Sequence, residues 1–333
     1  MGYNSILKSG RLDRRLFLSL VVGSAFLSIP AAWAQNFPAK PITMVVPFPP
    51  GGPTDLVARV LAQKMAEQMG QSIVIDNKPG ANGNIAAVAV SKAPADGYTV
   101  LYNTSSITLS PALYKNLSYD VQRNLAPVAL TAVVPLALVV NASLPVNNVR
   151  EFVAYAKANA GKLSYGSAGN GNVTHLAAYQ LVSSQGLDAT HVPYRGSAPA
   201  DVDLVAGQIQ FMTDTINSVM PFVKDKRLKL LAVTTSKRMS LFPDAPTLDE
   251  TIMPGFEAGA WQGMMVPAGT PAAVVQKLNS EVIKALNSSQ VKEKLAVQGA
   301  EPLGSTPEAY GAYIKRELAR WAAVVKATGV TLE

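Results

Sequence analysis

Ile42-Thr43-Met44-Val45-Val46-Pro47-Phe48-Pro49-Pro50-Gly51-Gly52-Pro53-Thr54-Asp55 is the stretch that decides the fold class. A short apolar strand, 42–46, is stopped by Pro47 and by the proline–glycine turn behind it. From about 55 to 69 the period becomes helical, with Leu56, Val60, Leu61, Met65 and Met69 on one stripe and Gly70 as the stop. The same rhythm continues outward. Residues 72–76 and 98–103 read as strands, with a loop at 77–83 feeding a helix around 85–92. Further strands are expected at 137–140, 163–166, 190–193, 209–212, 228–234 and 260–266, the last of the series. Helices are expected at 150–160, 173–184, 199–206, 272–287 and 307–326, the final two closing the chain. Tyr310, Ile314, Leu318, Trp321 and Val325 share one face of the last helix and suit packing on a sheet. This alternation argues for an α/β fold with parallel sheets. No internal repeat, low-complexity tract or flexible linker interrupts it, so two domains would be joined by strands.

Composition narrows the chemistry. Of 333 residues, 48% are hydrophobic and 15% charged, which is a globular mixture with length for about two domains. The chain has no cysteine, which excludes disulfides, a thiolate nucleophile and sulfur-ligated metals. Its two histidines, His175 and His191, are too few for a three-histidine metal site. No cofactor and no metal is expected. Residues 1–34 read as an export leader: Arg14-Arg15-Leu16-Phe17-Leu18, an apolar run to Ile29, then Ala32-Trp33-Ala34 before Gln35. Cleavage after Ala34 would release the protein into the periplasm, and the paired arginines fit a twin-arginine signal. A membrane anchor is the alternative; a lipid anchor is excluded because no cysteine follows the cleavage site. The net charge is +7 for the whole chain and +3 for residues 1–34, leaving +4, with the basic residues scattered. That pattern gives no reason to expect a nucleic acid partner.

Catalytic signatures are missing: no G-x-S-x-G elbow, no H-E-x-x-H. Gly166-Ser167-Ala168-Gly169-Asn170-Gly171 has the glycine spacing of a phosphate loop, but Asn172-Val173 stand where lysine and serine or threonine are needed. What remains is three strand-to-helix turns rich in glycine, serine, threonine and asparagine, at 48–55, 77–85 and 166–174. Such turns gather at the carboxyl ends of strands, beside a crevice, and the N–H groups that open each helix suit a small carboxylate. On spacing alone they could equally be ordinary loops.

These segments resemble a known family. Pro47-Phe48-Pro49-Pro50-Gly51-Gly52-Pro53-Thr54-Asp55 is similar to the opening motif of the Bug-type receptors, the periplasmic substrate-binding proteins of tripartite tricarboxylate transporters. Further matches follow in family order: Asn77-Lys78-Pro79-Gly80-Ala81, Pro94-Ala95-Asp96-Gly97-Tyr98, Ser167-Ala168-Gly169-Asn170-Gly171 with His175-Leu176-Ala177-Ala178, and His191-Val192-Pro193-Tyr194-Arg195-Gly196. Leu231-Ala232-Val233-Thr234, Pro246-Thr247 and Pro267-Ala268-Gly269-Thr270-Pro271 complete the set. The resemblance implies a two-domain, type II-like periplasmic binding protein with two crossover strands and the ligand in the interdomain cleft. Domain one would hold residues 35–136 and 262–333, and domain two 137–261. It also implies ligand contacts from Gly52, Pro53, Thr54 and Asp55 on one side and from Ser167, Ala168, Gly169 and Asn170 on the other, with Tyr194 and Asp214 lining the pocket. Pro53 has no N–H, so Gly52 or Thr54 must donate. Ala86, where glycine is common, and Tyr179, where an acidic residue is common, depart from the family pattern.

Single residues have competing readings. Phe48 could stack on an aromatic ligand, Asn82 sits in the second turn, and His175 suits capping or packing as well as ligand contact. His191 reads as a hydrogen-bonded core residue opening a buried strand. Asp55 could simply favour the positive end of its helix. Arg195 could neutralise an acidic ligand or pair with Asp201 or Asp203. Asp214, expected just after a strand, suits an ammonium, a hydroxyl or an ordered water. The leading expectation is a monomeric receptor that captures a di- or tricarboxylate, or an aromatic acid, and presents it to membrane permease subunits. One alternative docks the loaded receptor on a sensor-kinase ectodomain. The other is an exported hydrolase or isomerase using Asp55, His175 and Asp214, disfavoured because no nucleophile stands beside a base.

Overall fold

The computed structural model describes residues 37–239 and 241–328. The leader reading, with its paired arginines and its cleavage site after Ala34, falls outside them. The architecture is that of the unit that begins at Pro38. Strand β1 (Ile42–Val46) leads into helix α1 (Pro53–Met69), then β2 (Ile73–Asn77), α2 (Asn84–Ser91), β3 (Thr99–Thr104), α3 (Ser106–Leu113) and the short α4 (Val121–Asn124). The long β4 (Leu125–Asn141) is followed by α5 (Val149–Ala158), β5 (Leu163–Ser167), α6 (Val173–Ser184), β6 (Ala189–Pro193), α7 (Ser197–Val205), β7 (Phe211–Thr215), α8 (Ile216–Lys224) and β8 (Leu228–Val233). The chain ends with α9 (Leu248–Thr251), β9 (Gly259–Pro267), α10 (Ala272–Asn287), α11 (Ser289–Val297), β10 (Glu301–Pro302) and α12 (Pro307–Thr328).

Several expectations are corrected. Helix α1 starts at Pro53, whose missing N–H is harmless at a helix start, and its buried stripe is Val57, Ala58, Leu61, Ala62 and Met65. The strand expected at 137–140 is the end of the 17-residue β4. Pro127 and Pro135 had hidden its first part, because proline cannot donate to a ladder. Pro127 lies at a register shift, and Pro135 is the last residue of β4 to pair with β9. Helices α3 and α8 went unforeseen, and each contains a proline near its end, Pro111 and Pro221. Three helices rather than two lie beyond β9, and β10 follows it as a further strand. Strand β6 lies at the end of the sheet and is half exposed, so His191 does not sit in a buried strand.

Among the described residues the strands form one mixed sheet in the order β2-β1-β3-β9-β4-β7-β5-β6, with β8 and β10 also on β4. The parallel expectation holds within two groups: β1 with β2 and β3, and β5 with β6 and β7. Between them, β9 and β4 run antiparallel. Two antiparallel steps restore direction and a third reverses it, so β3 and β7 point toward each other. Thr104, ending β3, pairs with Gln262, which pairs with Ala132; Thr215, ending β7, pairs with Leu136. The carboxyl ends of both parallel groups therefore meet over residues 132–136 of β4.

Helix α12 belongs to two hydrophobic cores. Trp321 and Val325 join one with Leu138, Phe152 and Phe211, while Tyr310 and Ile314 join the other with Leu101, Trp261 and Met265. The buried Tyr310 hydroxyl and Asn103 side chain exchange hydrogen bonds at 2.8 and 3.1 Å. Gly263 of β9 lets the helix approach, since a Cβ there would overlap the Tyr310 phenol.

Where β4 changes neighbours, buried Thr234 bonds both crossover segments. Its hydroxyl accepts from the Leu136 N–H at 3.1 Å and donates to the Ala258 carbonyl at 2.6 Å. Thr234→Val keeps the shape and leaves both backbone groups short of a partner. It should lower stability by roughly 1–3 kcal/mol in urea unfolding, and Thr234→Ser should recover most of the loss. A valine variant as stable as the parent would remove this hydroxyl from the account.

Candidate functional site

A cavity of about 370 Å³ lies where the strand ends meet. Its wall is built from five strand-to-helix junctions: Phe48–Thr54 before and in α1, Thr104–Ser106 at α3, Ala168 and Asn172–Thr174 at α6, Arg195–Pro199 at α7, and Asp214–Ser218 (without Ile216) at α8. Leu56 of α1, Ala260 and Gln262 of β9, and Gln298 complete it. Among the described residues, Arg195 and Asp214 are the charged side chains in this wall. Five helices thus begin at one small space. The positive ends of their dipoles add there, each favouring an anion by roughly 0.3–1 kcal/mol.

The α1 junction is open to a ligand. Its N-cap, Gly52, makes no side-chain cap, and Thr54 and Asp55 have no carbonyl within the helix to bond. Gly52 N–H makes only a long contact to Pro49 O at 3.4 Å, so Thr54 N–H is the stronger of the two expected donors. Asp55 does not line the cavity. Its carboxylate accepts from Gly51 N at 2.8 Å, Arg59 Nε at 2.8 Å and Asn77 Nδ2 at 2.9 Å, and so sets the shape of the turn. Burial opposes its charge, but these bonds and the Arg59 guanidinium outweigh it and hold the carboxyl below its ordinary value.

The 166–174 turn is arranged differently from expectation. Asn172 caps α6 through Thr174 N, Ala168 N donates to Thr174 Oγ1 at 2.9 Å, Gly169 N to Ser167 Oγ at 3.3 Å, and Gly171 N to His175 Nδ1 at 3.1 Å. Most of its amides are already engaged, and of the four expected contacts only Ala168 lines the cavity. Ser167 Oγ lies 2.7 Å from His191 Nε2, and Gly169, at φ +140°, faces the Tyr194 carbonyl rather than open space. A side chain at Gly169 would report backbone strain before it reported ligand contact. Asn170 is likewise outside the wall.

Other expected residues brace it. Tyr194 donates its hydroxyl to Asp203 at 2.7 Å. Asn82 donates to the Gly171 carbonyl at 3.2 Å and accepts from Ser106 Oγ at 3.0 Å, linking the second turn to the third. The rings of His175 and His191 stack at 3.7 Å with 8° between their planes, beside Tyr165. Burial, with His191 adding to it, pushes His175 down to about 3, and burial pushes His191 to about 4. Both rings are neutral props of the turn. Phe48 and Arg195 do line the cavity, and among the described residues Arg195 makes no ion pair with Asp201 or Asp203. Of Asp55, His175 and Asp214, on which the hydrolase or isomerase reading rested, Asp214 alone is in the cavity wall.

Asp214 is an internal residue of β7, not a residue beyond it, and is fully buried. Its Oδ1 accepts from Ser197 Oγ at 2.8 Å, Thr215 N at 2.6 Å and Thr215 Oγ1 at 3.3 Å. Buried Asp201 on α7 accepts from Ser218 Oγ. Burial raises both carboxyls, and the charge of Asp214 raises Asp201 further, so the pair retains a proton near neutrality. Ser197, Asn217, Ser218, Gln262 and the Thr104–Ser106 corner were missed from sequence. The Thr-Ser-Ser run after the third strand was the readable signal for the last of these.

The sequence model of the tripartite tricarboxylate transporter family receptor matches residues 57–330. Protein BugT of Bordetella pertussis is 36% identical, over 95% of this chain and 97% of its own length. An R. palustris protein solved with adipate is 38% identical and superposes with a TM-score of 0.84, covering 89% of this chain and 99% of that one. MatC from Rhodopseudomonas palustris, solved with bound malate, is 36% identical with a TM-score of 0.80, covering 87% and 100%.

The acid pair gives a pH signature. Folding raises these carboxyls above their ordinary range, so their contribution is present at low pH and is lost as pH rises through neutrality. The histidine pair acts in the opposite sense, but only below its ordinary value of 6.5, where unfolded rings gain protons. The melting temperature of unliganded protein should therefore fall from pH ~6.5 to pH ~8.5. Asp201→Asn should flatten that slope and melt higher than the parent at the alkaline end. A flat parental curve would mean that the pair holds no proton.

Proposed function

The chain belongs to the tripartite tricarboxylate transporter receptor family, periplasmic solute-binding proteins, and on that premise we propose that it captures a small carboxylate in the cavity and delivers it to the membrane permease subunits of such a transporter. The observation that carries the proposal is the convergence of five helix N-termini on a cavity whose described wall holds one cation and one buried acid. An anion placed there meets unsatisfied N–H groups and aligned dipoles without needing a cluster of basic side chains. Adipate and malate in two similar proteins are both dicarboxylates, which supports short aliphatic di- and tricarboxylates as first choice. Aromatic acids come second, with half-buried Phe48 in the wall as the stacking surface they would use. The role proposed is binding, without catalysis.

We further propose that the protein works in the periplasm after loss of residues 1–34, through a twin-arginine signal. Among the described residues no helix is long and apolar enough to cross a membrane. Intact-mass measurement of the exported protein should give a chain starting at Gln35, and retention of the leader would overturn this step.

The proposed domains are residues 35–136 with 262–333, and residues 137–261, hinged where β4 exchanges β9 for β7 and β8. The abrupt change of partner between Pro135 and Leu136 supports that division. In a thermal-shift screen of ligand-stripped protein, a carboxylate at about 100 times its dissociation constant should add roughly 2.7 kcal/mol of stability. The same saturated sample should scatter X-rays with a smaller radius of gyration. If only sugars or metal cations stabilise the protein, the carboxylate reading is wrong; an unchanged radius would count against hinge closure.

A further inference from the structure

The second turn makes a contact that the ligand cavity does not account for. Gly80, Ala81, Asn82 and Gly83 all have positive φ, and a side chain at φ 47° (Ala81) or 53° (Asn82) stays there only where its surroundings hold it. Asn82 is held by two bonds of opposite sense. Its Oδ1 accepts from Ser106 Oγ at 3.0 Å, and its Nδ2 donates to the Gly171 carbonyl at 3.2 Å. A carbonyl can only accept, so the amide has one orientation. Asn82 and Ser106 belong to residues 35–136 and Gly171 to 137–261, so the second bond joins the two proposed domains, while Asn82 itself stays outside the cavity wall. Gly171 donates its own N–H to His175 Nδ1 at 3.1 Å, and the next residue, Asn172, caps α6 and is in the wall. The proposed domains also touch at Gly299, beside the wall residue Gln298, where a Cβ would lie 2.5 Å from Ile216 Cγ2.

We propose that Asn82 is a positioning residue for ligand capture, a latch that fastens the second turn of one domain to the third turn of the other and so shifts the protein toward the closed form that retains the ligand. This rests on the carboxylate and hinge readings above and goes beyond them, since Asn82 acts through Gly171 and touches no ligand. The bond to Gly171 exists only while the domains are together; the bond to Ser106 lies within one domain and survives opening. Closure therefore gains a hydrogen bond that neither glycine nor aspartate could make in this place. One such bond changes the balance between open and closed forms by roughly three- to tenfold. A ligand gripped from both domains binds the closed form, so the same factor passes into its apparent affinity. The latch also steadies the wall, because Gly171 is fixed through both its N–H and its carbonyl just before the α6 cap.

The chain has no cysteine, so a pair of labels can be introduced without removing any. Val74→Cys on β2 and Val202→Cys on α7, at positions 54% and 61% exposed, place one spin label on each proposed domain. The distance between the labels, read by pulsed electron resonance, reports closure as carboxylate is added, with adipate and malate as the first probes and the rest of the thermal-shift series after them. Asn82→Gly suits the positive φ and removes the latch without adding charge. Asn82→Asp still accepts from Ser106 but sets an oxygen against the Gly171 carbonyl. Each variant should need about three- to tenfold more carboxylate for half closure, or more for the aspartate, and Asn82→Gly should reach the parental distance at saturation. Parental half closure in either variant would overturn the latch and leave the carboxylate and hinge readings standing; in Asn82→Gly alone it would assign the Asn82→Asp effect to charge. A parent that carboxylate stabilises thermally without any change in label distance would overturn hinge closure and the latch together. Absence of stabilisation by every carboxylate would overturn the carboxylate reading as well.

Discussion

Everything in this molecule is arranged around a strand that must satisfy two sets of neighbours. β4 pairs with β9 up to Pro135 and with β7 and β8 from Leu136 and Ala137 onward. Buried backbone groups have to be paired, and proline cannot donate, so the exchange requires a partner from outside the ladders. Thr234 supplies it. Its bonds to Leu136 and Ala258 tie the second crossover, β9, to the first at the point where both change surroundings. The antiparallel steps through β9 and β4 also set β3 and β7 pointing at one another. Strand-to-helix corners that would lie on one edge of a wholly parallel sheet instead close around a space from two sides.

That geometry explains a division of labour between charge and backbone. The charged and aromatic groups beside the cavity mostly hold its walls: Asp55 gathers Gly51, Arg59 and Asn77; Asp203 fixes Tyr194; the stacked histidines support the third turn. Helix starts face inward. Backbone donors cannot rotate away, so an anion held by them meets fixed dipoles and not flexible cations. Asp214 is the exception, a buried acid that belongs to the sheet and yet borders the cavity, its position fixed by Ser197 and Thr215.

Much of this was legible before any coordinates. Strand β1 and helices α6 and α10 coincide with the expected ranges, because unbroken periodicity with clear stops leaves little for tertiary contacts to alter. Helices α3 and α8 escaped because Pro111 and Pro221 look like breaks, although near a helix end only a little hydrogen bonding is lost and burial of Leu109 or Val219 outweighs it. The first part of β4 escaped for the same reason. Of the residues in the cavity wall, Gly52, Thr54, Arg195 and Asp214 are among those that strand-end turns and family resemblance had pointed to. Ser197 and Ser218 were not, since an isolated serine carries no signal until its hydroxyl is seen to point at a buried acid.

The sequence by itself determined the α/β class, the junctions rich in glycine and hydroxyl groups, the absence of thiol chemistry and the family, all of which depend on local pattern and residue type. Tertiary structure alone decided that the sheet is mixed, that α7 and α8 join α1 at the cavity, that the amides of the third turn are mostly taken, and that the charge of Asp214 is felt by buried Asp201. These depend on which strand lies beside which and in what direction. Asp201 of α7 and Asp214 of β7 are both buried, held by Ser218 and Ser197, and no periodicity in the chain records that arrangement.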